Sequence, residues 1–161
     1  MGLPWSHHKN NGWKSQLERV RRWYKRIEKV GSAKSTNANL EDEHDDVYTF
    51  FQNCYYLREW LEKADVVAPN YINDLFKQNI ELQICRDICN GTKHFDISRP
   101  SVDADFSFGR EYVPKSYTNS RPQINETWFL FASGEKYDVF SLAAKCMGLW
   151  ESFIQKHNLD N

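Results

Sequence analysis

Between Val47 and Leu61 the residues Val47, Phe50, Phe51, Cys54, Leu57 and Leu61 recur mostly at intervals of three and four, and Tyr55, Tyr56 and Trp60 widen the apolar surface beyond one seam. That period is the signature of a helix with a buried face. The acidic cluster from Glu41 to Asp46 precedes it, where carboxylates suit the partial positive charge of a helix N-terminus. The pattern predicts one helix from about Glu41 to Ala64, and such a face has to be covered by other elements.

The covering elements are legible in the same way. From Trp13 to Val30, Trp13, Leu17, Val20, Tyr24 and Ile27 follow a 4-3-4-3 spacing, with Arg19, Arg22, Arg26 and Lys29 on the opposite side. A polar connector, Gly31 to Asn39, joins this helix to the next. Pro69 fits the first turn of a short helix through Phe76. A fourth helix begins near Asn79, with Ile80, Ile84 and Ile88 on one side, Cys85 and Cys89 beside them, and Asn90-Gly91 as its expected stop. Asp105 to Val113 alternates, and Glu126 to Ala132 does so more loosely, which predicts two antiparallel strands. After Gly134 a last helix from about Tyr137 to His157 aligns Val139, Leu142, Ala143, Cys146, Trp150, Phe153 and Ile154.

The expected fold is therefore mainly α: an antiparallel bundle of about five helices with a β-hairpin inserted before the C-terminal helix. The length of 161 residues suits one domain over 13–161, with a polar tail at 1–12 and the β-ribbon at about 98–134. Aromatic residues make up 15% of the chain, which excludes a wholly disordered polymer. No stretch reaches the length of an apolar membrane span, and the opening residues lack a signal-peptide core, so a cytoplasmic protein without membrane association is expected. The four cysteines fall inside apolar periodic segments and are expected to be buried, reduced thiols.

The net charge of -1 hides an asymmetry: residues 1–36 carry +7 and the remainder -8. Such a split either joins a basic helix to an acidic one within the fold or offers a basic face to a polyanion. Arg19, Arg22, Arg26 and Lys29 are the candidate nucleic-acid contacts, and they would give affinity for phosphate without sequence choice.

The densest polar information lies in Cys85-Arg-Asp-Ile-Cys-Asn-Gly-Thr-Lys-His94. If the helix continues through it, a turn of about 100° per residue brings Arg86, Asn90, Lys93 and His94 onto one stripe with Asp87 at its edge. These groups suit work on a phosphodiester. An imidazole titrating near neutrality can exchange a proton with a 2′-hydroxyl or a 5′-oxygen, and cations stabilise phosphoryl charge. The candidate catalytic residues are Arg86, Asp87, Asn90, Lys93 and His94, with Asn90 or Asp87 orienting the imidazole.

The segment and the bundle layout resemble the HEPN superfamily, helical proteins that include many metal-independent ribonucleases of phage-defence, toxin–antitoxin and RNA-processing systems. Matched by type, Arg86 and Asp87 take the family's Arg-polar position and His94 its His, over an interval longer than members usually have. The Asn90-Gly-Thr-Lys-His94 run also resembles a group of small bacterial proteins with this bundle. The resemblance implies a homodimer with its site across the two-fold axis. It also implies action on RNA, as an endoribonuclease leaving a 2′,3′-cyclic phosphate. The alternative is a non-catalytic interaction or nucleotide-binding module of a multi-protein system, for example in defence, acting with a partner protein.

Cys85 and Cys89 lie one helical turn apart and could join His94 or Asp87 around zinc, but no CxxC pair or second ligand cluster accompanies them. No metal and no cofactor is therefore expected. The sequence also lacks a Gly-rich phosphate loop, a GxSxG elbow and an HExxH pair.

Overall fold

The computed structural model describes residues 12–30, 40–94, 97–115 and 123–160. The expected polar tail, except Gly12, and the connector at 31–39 lie outside the described residues. The elements are, in order, α1 (Gly12–Ile27), α2 (Leu40–Ala64), α3 (Pro69–Gln78), α4 (Ile80–Lys93), β1 (Ser107–Lys115), β2 (Gln123–Ala132), β3 (Glu135–Asp138) and α5 (Val139–Lys156). The fold is mainly α, with a small antiparallel sheet before the last helix. No helix among the described residues is long and apolar enough to cross a membrane.

The stripe on α2 becomes the axis of the core. Val47, Phe50, Phe51, Cys54, Leu57 and Leu61 are wholly buried, and α1, α4 and α5 pack around them. From α1 come Trp13, Leu17, Val20 and Ile27, and from α5 Leu142, Ala143, Cys146, Trp150, Phe153 and Ile154. Removing one such Leu or Ile side chain from a packed core costs about 2–5 kcal/mol, so these positions hold the bundle. The α1–α2 seam is also fixed by polar groups: Gln16 Nε2 donates to the Asn53 carbonyl (2.9 Å) and to Asn53 Oδ1 (3.2 Å).

Four local expectations need correction. Helix α4 does not stop at Asn90-Gly91 but runs to Lys93. Gly91 is there for space: a Cβ at this position would lie 2.7 Å from the Phe106 ring, which packs over the helix. Ile80, expected on the core side, is exposed, and Leu82 is buried in its place. The insertion holds three strands in the order β1-β2-β3, not a single hairpin. Ser133 and Gly134 both have positive φ, 49° and 78°, and Ala132 pairs with Glu135 across them. That is the geometry of a tight two-residue hairpin. The last helix consequently starts at Val139, where Asp138 caps it by accepting from the Ser141 amide at 2.7 Å.

The sheet docks on the start of α2. Trp128 is buried from β2 and donates its indole N–H to Glu43 Oε2 at 2.9 Å, and Arg110 Nη1 reaches the same oxygen at 3.5 Å. One carboxylate of the acidic cluster is thus drawn into the α2–sheet junction, where it satisfies the buried indole.

Candidate functional site

The site begins with a buried carboxylate. Asp87 on α4 is 2% exposed, and its Oδ1 accepts from the Ser101 amide at 2.7 Å. Its Oδ2 accepts from the amides of Val102 (2.6 Å) and Asp103 (3.0 Å). Three backbone donors converging on one anion make a strong anchor, because charge-assisted hydrogen bonds exceed neutral ones. The segment after α4 is thereby folded back against the helix. Asp103 extends the anchor by accepting from the amides of Ser133 (2.7 Å) and Asp105 (2.8 Å), and these bonds hold its carboxyl below the usual range.

Folding the segment back builds a cleft. Arg86 and Asn90 on α4 and His94 at its C-cap line one side, and Ile97, Ser98 and Arg99 line the other, around about 370 Å³. Arg86 also borders a second cleft of about 400 Å³ with Arg58, Asn73, Phe76, Lys77, Gln83 and Ser101. Among the described residues no carboxylate lines either one. Between them they present four cations and an imidazole to solvent, an arrangement that favours an anion. Arg86 Nη1 donates to Ser101 Oγ at 3.2 Å, and its buried Nε has no hydrogen-bond partner among the described residues. Arg58 is held by Glu62 (2.9 Å) and Asn73 (2.9 Å) over the Phe76 ring.

Of the five residues singled out on α4, the structure therefore brings three together: Arg86, Asn90 and His94. Asp87 is turned to the loop backbone, and all three of its hydrogen bonds are spent there. Lys93 is exposed in the last turn and does not line the cleft. His94 follows as the C-cap, exposed, with its amide donating to the Asn90 carbonyl at 2.8 Å. The intervening Thr92 hydroxyl donates within α4 and accepts from Gln52 of α2 at 2.8 Å, fixing the helix end.

The basic residues of α1 lie on a helix that packs against α2 and α5, whereas the clefts belong to α2, α3, α4 and the following loop. Arg19 bonds to Gln16 Oε1 at 2.8 Å and Arg26 stacks on Trp23 at 4.3 Å. Asp46 of the acidic cluster feels the charge of Arg26, although burial, the larger influence, raises its pKa. Lys29 lies in the turn after α1.

Sequence reasoning missed Arg58, Lys77 and Arg99, which carry no local pattern and reach the clefts only through tertiary packing. It also missed two clusters, one partly buried and one wholly buried. His44 stacks on Trp128 (5.3 Å, 9° between planes) beside Tyr48 and Phe108, and burial lowers its pKa below the ordinary 6.5 against the opposing pull of Asp45. Its Nε2 is buried without a hydrogen-bond partner among the described residues. In the core, Cys54, Cys85 and Cys146 place their sulfurs within 4.8 Å of one another. Burial pushes the Cys85 thiol well up, and the hydrogen bond with Cys54 raises Cys146. Burial also raises Cys54, but the neighbouring Cys146, Cys85 and Trp150 groups outweigh it and lower its pKa.

Comparison with known protein families, with curated proteins and with solved structures finds no match to this chain.

Proposed function

We propose that the protein is a HEPN-like, RNA-directed protein acting as an endoribonuclease through the cleft at the end of α4. The observation that carries this reading is the grouping of Arg86, Asn90, His94 and Arg99 around one open cleft that no carboxylate among the described residues lines. In the proposed reaction His94 takes the proton of a ribose 2′-hydroxyl, and the freed oxygen attacks the adjacent phosphorus. The bond to the 5′-oxygen breaks and a 2′,3′-cyclic phosphate forms. Arg86 and Arg99 neutralise charge on the phosphoryl oxygens, and Asn90 offers a neutral hydrogen bond beside the imidazole. Proton transfer by imidazole and charge neutralisation by guanidinium do not call for a metal ion. The departing 5′-oxygen needs a proton, and His94 of a second copy supplies it in the homodimer that the resemblance implies. The α1 cations Arg19, Arg22, Arg26 and Lys29 steer the substrate by long-range attraction.

A second reading has its own support. No side-chain hydrogen bond from the described residues orients the His94 ring, and Asp87, the nearest carboxylate in sequence among them, is engaged elsewhere. A non-catalytic module that binds a nucleotide or RNA and works with a partner protein, for example in a defence system, uses the same cations without needing a fixed imidazole.

Purified protein incubated with single-stranded, hairpin and transfer RNAs in EDTA separates the two. Cleavage that leaves cyclic phosphate ends and is lost in His94→Ala and in Arg86→Ala, both folded, is the expected result. Binding without turnover selects the second reading, and neither binding nor turnover removes both.

A further inference from the structure

Cys54 of α2, Cys85 of α4 and Cys146 of α5 come from three different helices and meet at one level of the core. All three are 0% exposed, and their sulfur atoms lie within 4.8 Å of one another. Three points no farther apart than 4.8 Å all fall within about 2.8 Å (4.8/√3) of a common centre, whereas a thiolate–metal bond is about 2.3 Å. A central atom in the plane of the sulfurs therefore needs a shift of about half an ångström per sulfur, and a pyramidal one needs somewhat more. No further His, Cys, Asp or Glu among the described residues joins the set. The site thus offers three soft donors in a setting closed to solvent.

Two features select the occupant. With three donors in a core that solvent does not reach, the central atom has to be content with three thiolates, while structural zinc takes four ligands. The second feature is charge. Three thiolates carry three negative charges, and an uncompensated charge in an apolar core is very costly. A monovalent or divalent ion leaves the complex anionic, and a trivalent one leaves it neutral. Cys85 donates its S–H to the Phe51 carbonyl (3.2 Å) and Cys146 donates to that of Glu81 (3.4 Å). Both carbonyls lie within helices, so losing the thiol protons does not strand them.

We propose that Cys54, Cys85 and Cys146 form a buried three-thiol site for a trivalent thiophilic metalloid of the arsenite class. The reaction balances without an oxidant or reductant. Arsenous acid, As(OH)₃, loses its three hydroxyl groups, each taking a proton from one thiol to leave as water. Three arsenic–sulfur bonds replace three arsenic–oxygen bonds, arsenic stays trivalent, and neither side of the reaction is charged. Entry requires the helices to part, so binding is slow and follows local opening of the bundle.

The test uses the full chain, reduced, with arsenite as the probe. Native mass spectrometry should show one arsenic bound with the loss of three protons, and the thermal midpoint should rise by about 5–10 °C at a hundredfold excess over Kd. Cys89→Ser, outside the cluster, should bind as the parent does. Cys146→Ala and Cys85→Ala should each bind at least about a hundredfold more weakly, because the third bond is lost from an intramolecular set. If either fails to fold, alkylation of the parent under mild denaturant decides: arsenite should protect three cysteines and leave Cys89 reactive. Protection of a pair that includes Cys89, loss of only two protons, or no uptake overturns the proposal. Preferential retention of zinc or copper(I) over arsenite overturns it as well, because the charge argument then fails.

Discussion

The two sides of α4 receive neighbouring residues and treat them oppositely. Cys85 points into the closed core beside Cys54 and Cys146, while Arg86, one residue on, borders two open clefts. Asp87, the next residue, goes to neither: it is buried, and it exists to hold a loop. The difference teaches that the polar stripe on this helix is two devices. Arg86, Asn90 and His94 line an open cleft, and Asp87 with Gly91 forms the support that folds the second wall of the cleft into place. Each half fails in its own way.

The largest effect falls on the support. Asp87→Ala leaves three backbone amides without their acceptor and should cost about 3 kcal/mol in urea unfolding. Hydrogen exchange at Ser101, Val102 and Asp103 should accelerate with it. A variant as stable as the parent would mean the loop does not depend on this anchor. Next comes Gly91→Ala, whose new methyl meets the Phe106 ring and should cost about 1–3 kcal/mol. Combining it with Phe106→Ala should give less than the sum of the two single losses, since the clash is then removed. Strict additivity would break the assignment of Gly91 to close approach.

A smaller effect separates two histidines, one in each kind of surrounding. His44 lies among aromatic rings, its pKa lowered by burial, so between its folded value and the ordinary 6.5 the unfolded chain binds more protons. Stability should therefore fall as the pH drops below about 6.5 and level off below the folded pKa. Urea midpoints measured from about pH 7.5 down to about 5.5 should show this slope, and His44→Gln should flatten it. An unchanged slope in the variant would place the acid sensitivity elsewhere. The smallest stability effect is expected on the open face: Arg86→Ala should stay within about 0.5 kcal/mol of the parent, so that any loss of ligand is a loss of contact and not of fold.

The contrast also explains what the sequence does and does not reveal. Helix α2 is legible from end to end because its period, its acidic start and its burial all agree. Asn90-Gly91 misleads because Gly is both a helix stop and a means of close approach, and only the position of Phe106 says which applies. Strand β3 is hidden since four residues are too few to show a period, and a Ser-Gly turn with two positive φ angles reads like a plain helix start. Ile80 is exposed because it is the first residue of its helix, where the stripe has not yet reached the core. The grouping of Arg86 and Asn90 follows from helical spacing, with His94 joining them as the extended C-cap, whereas Arg58, Lys77 and Arg99 join through tertiary packing. The three sulfurs likewise come from distant parts of the chain and are brought together only by the packing of α2, α4 and α5.

The central claim is that the open face of α4 is where a phosphate-bearing ligand is held. Fluorescence anisotropy of a labelled single-stranded RNA, titrated with parent protein and with the double variant Arg86→Ala/Arg99→Ala across a range of salt, tests it most directly. The account predicts that the double variant binds about tenfold or more weakly at low salt and that its affinity depends less steeply on salt, as expected when phosphate contacts are removed. Equal affinity and equal salt dependence in the two proteins would contradict it.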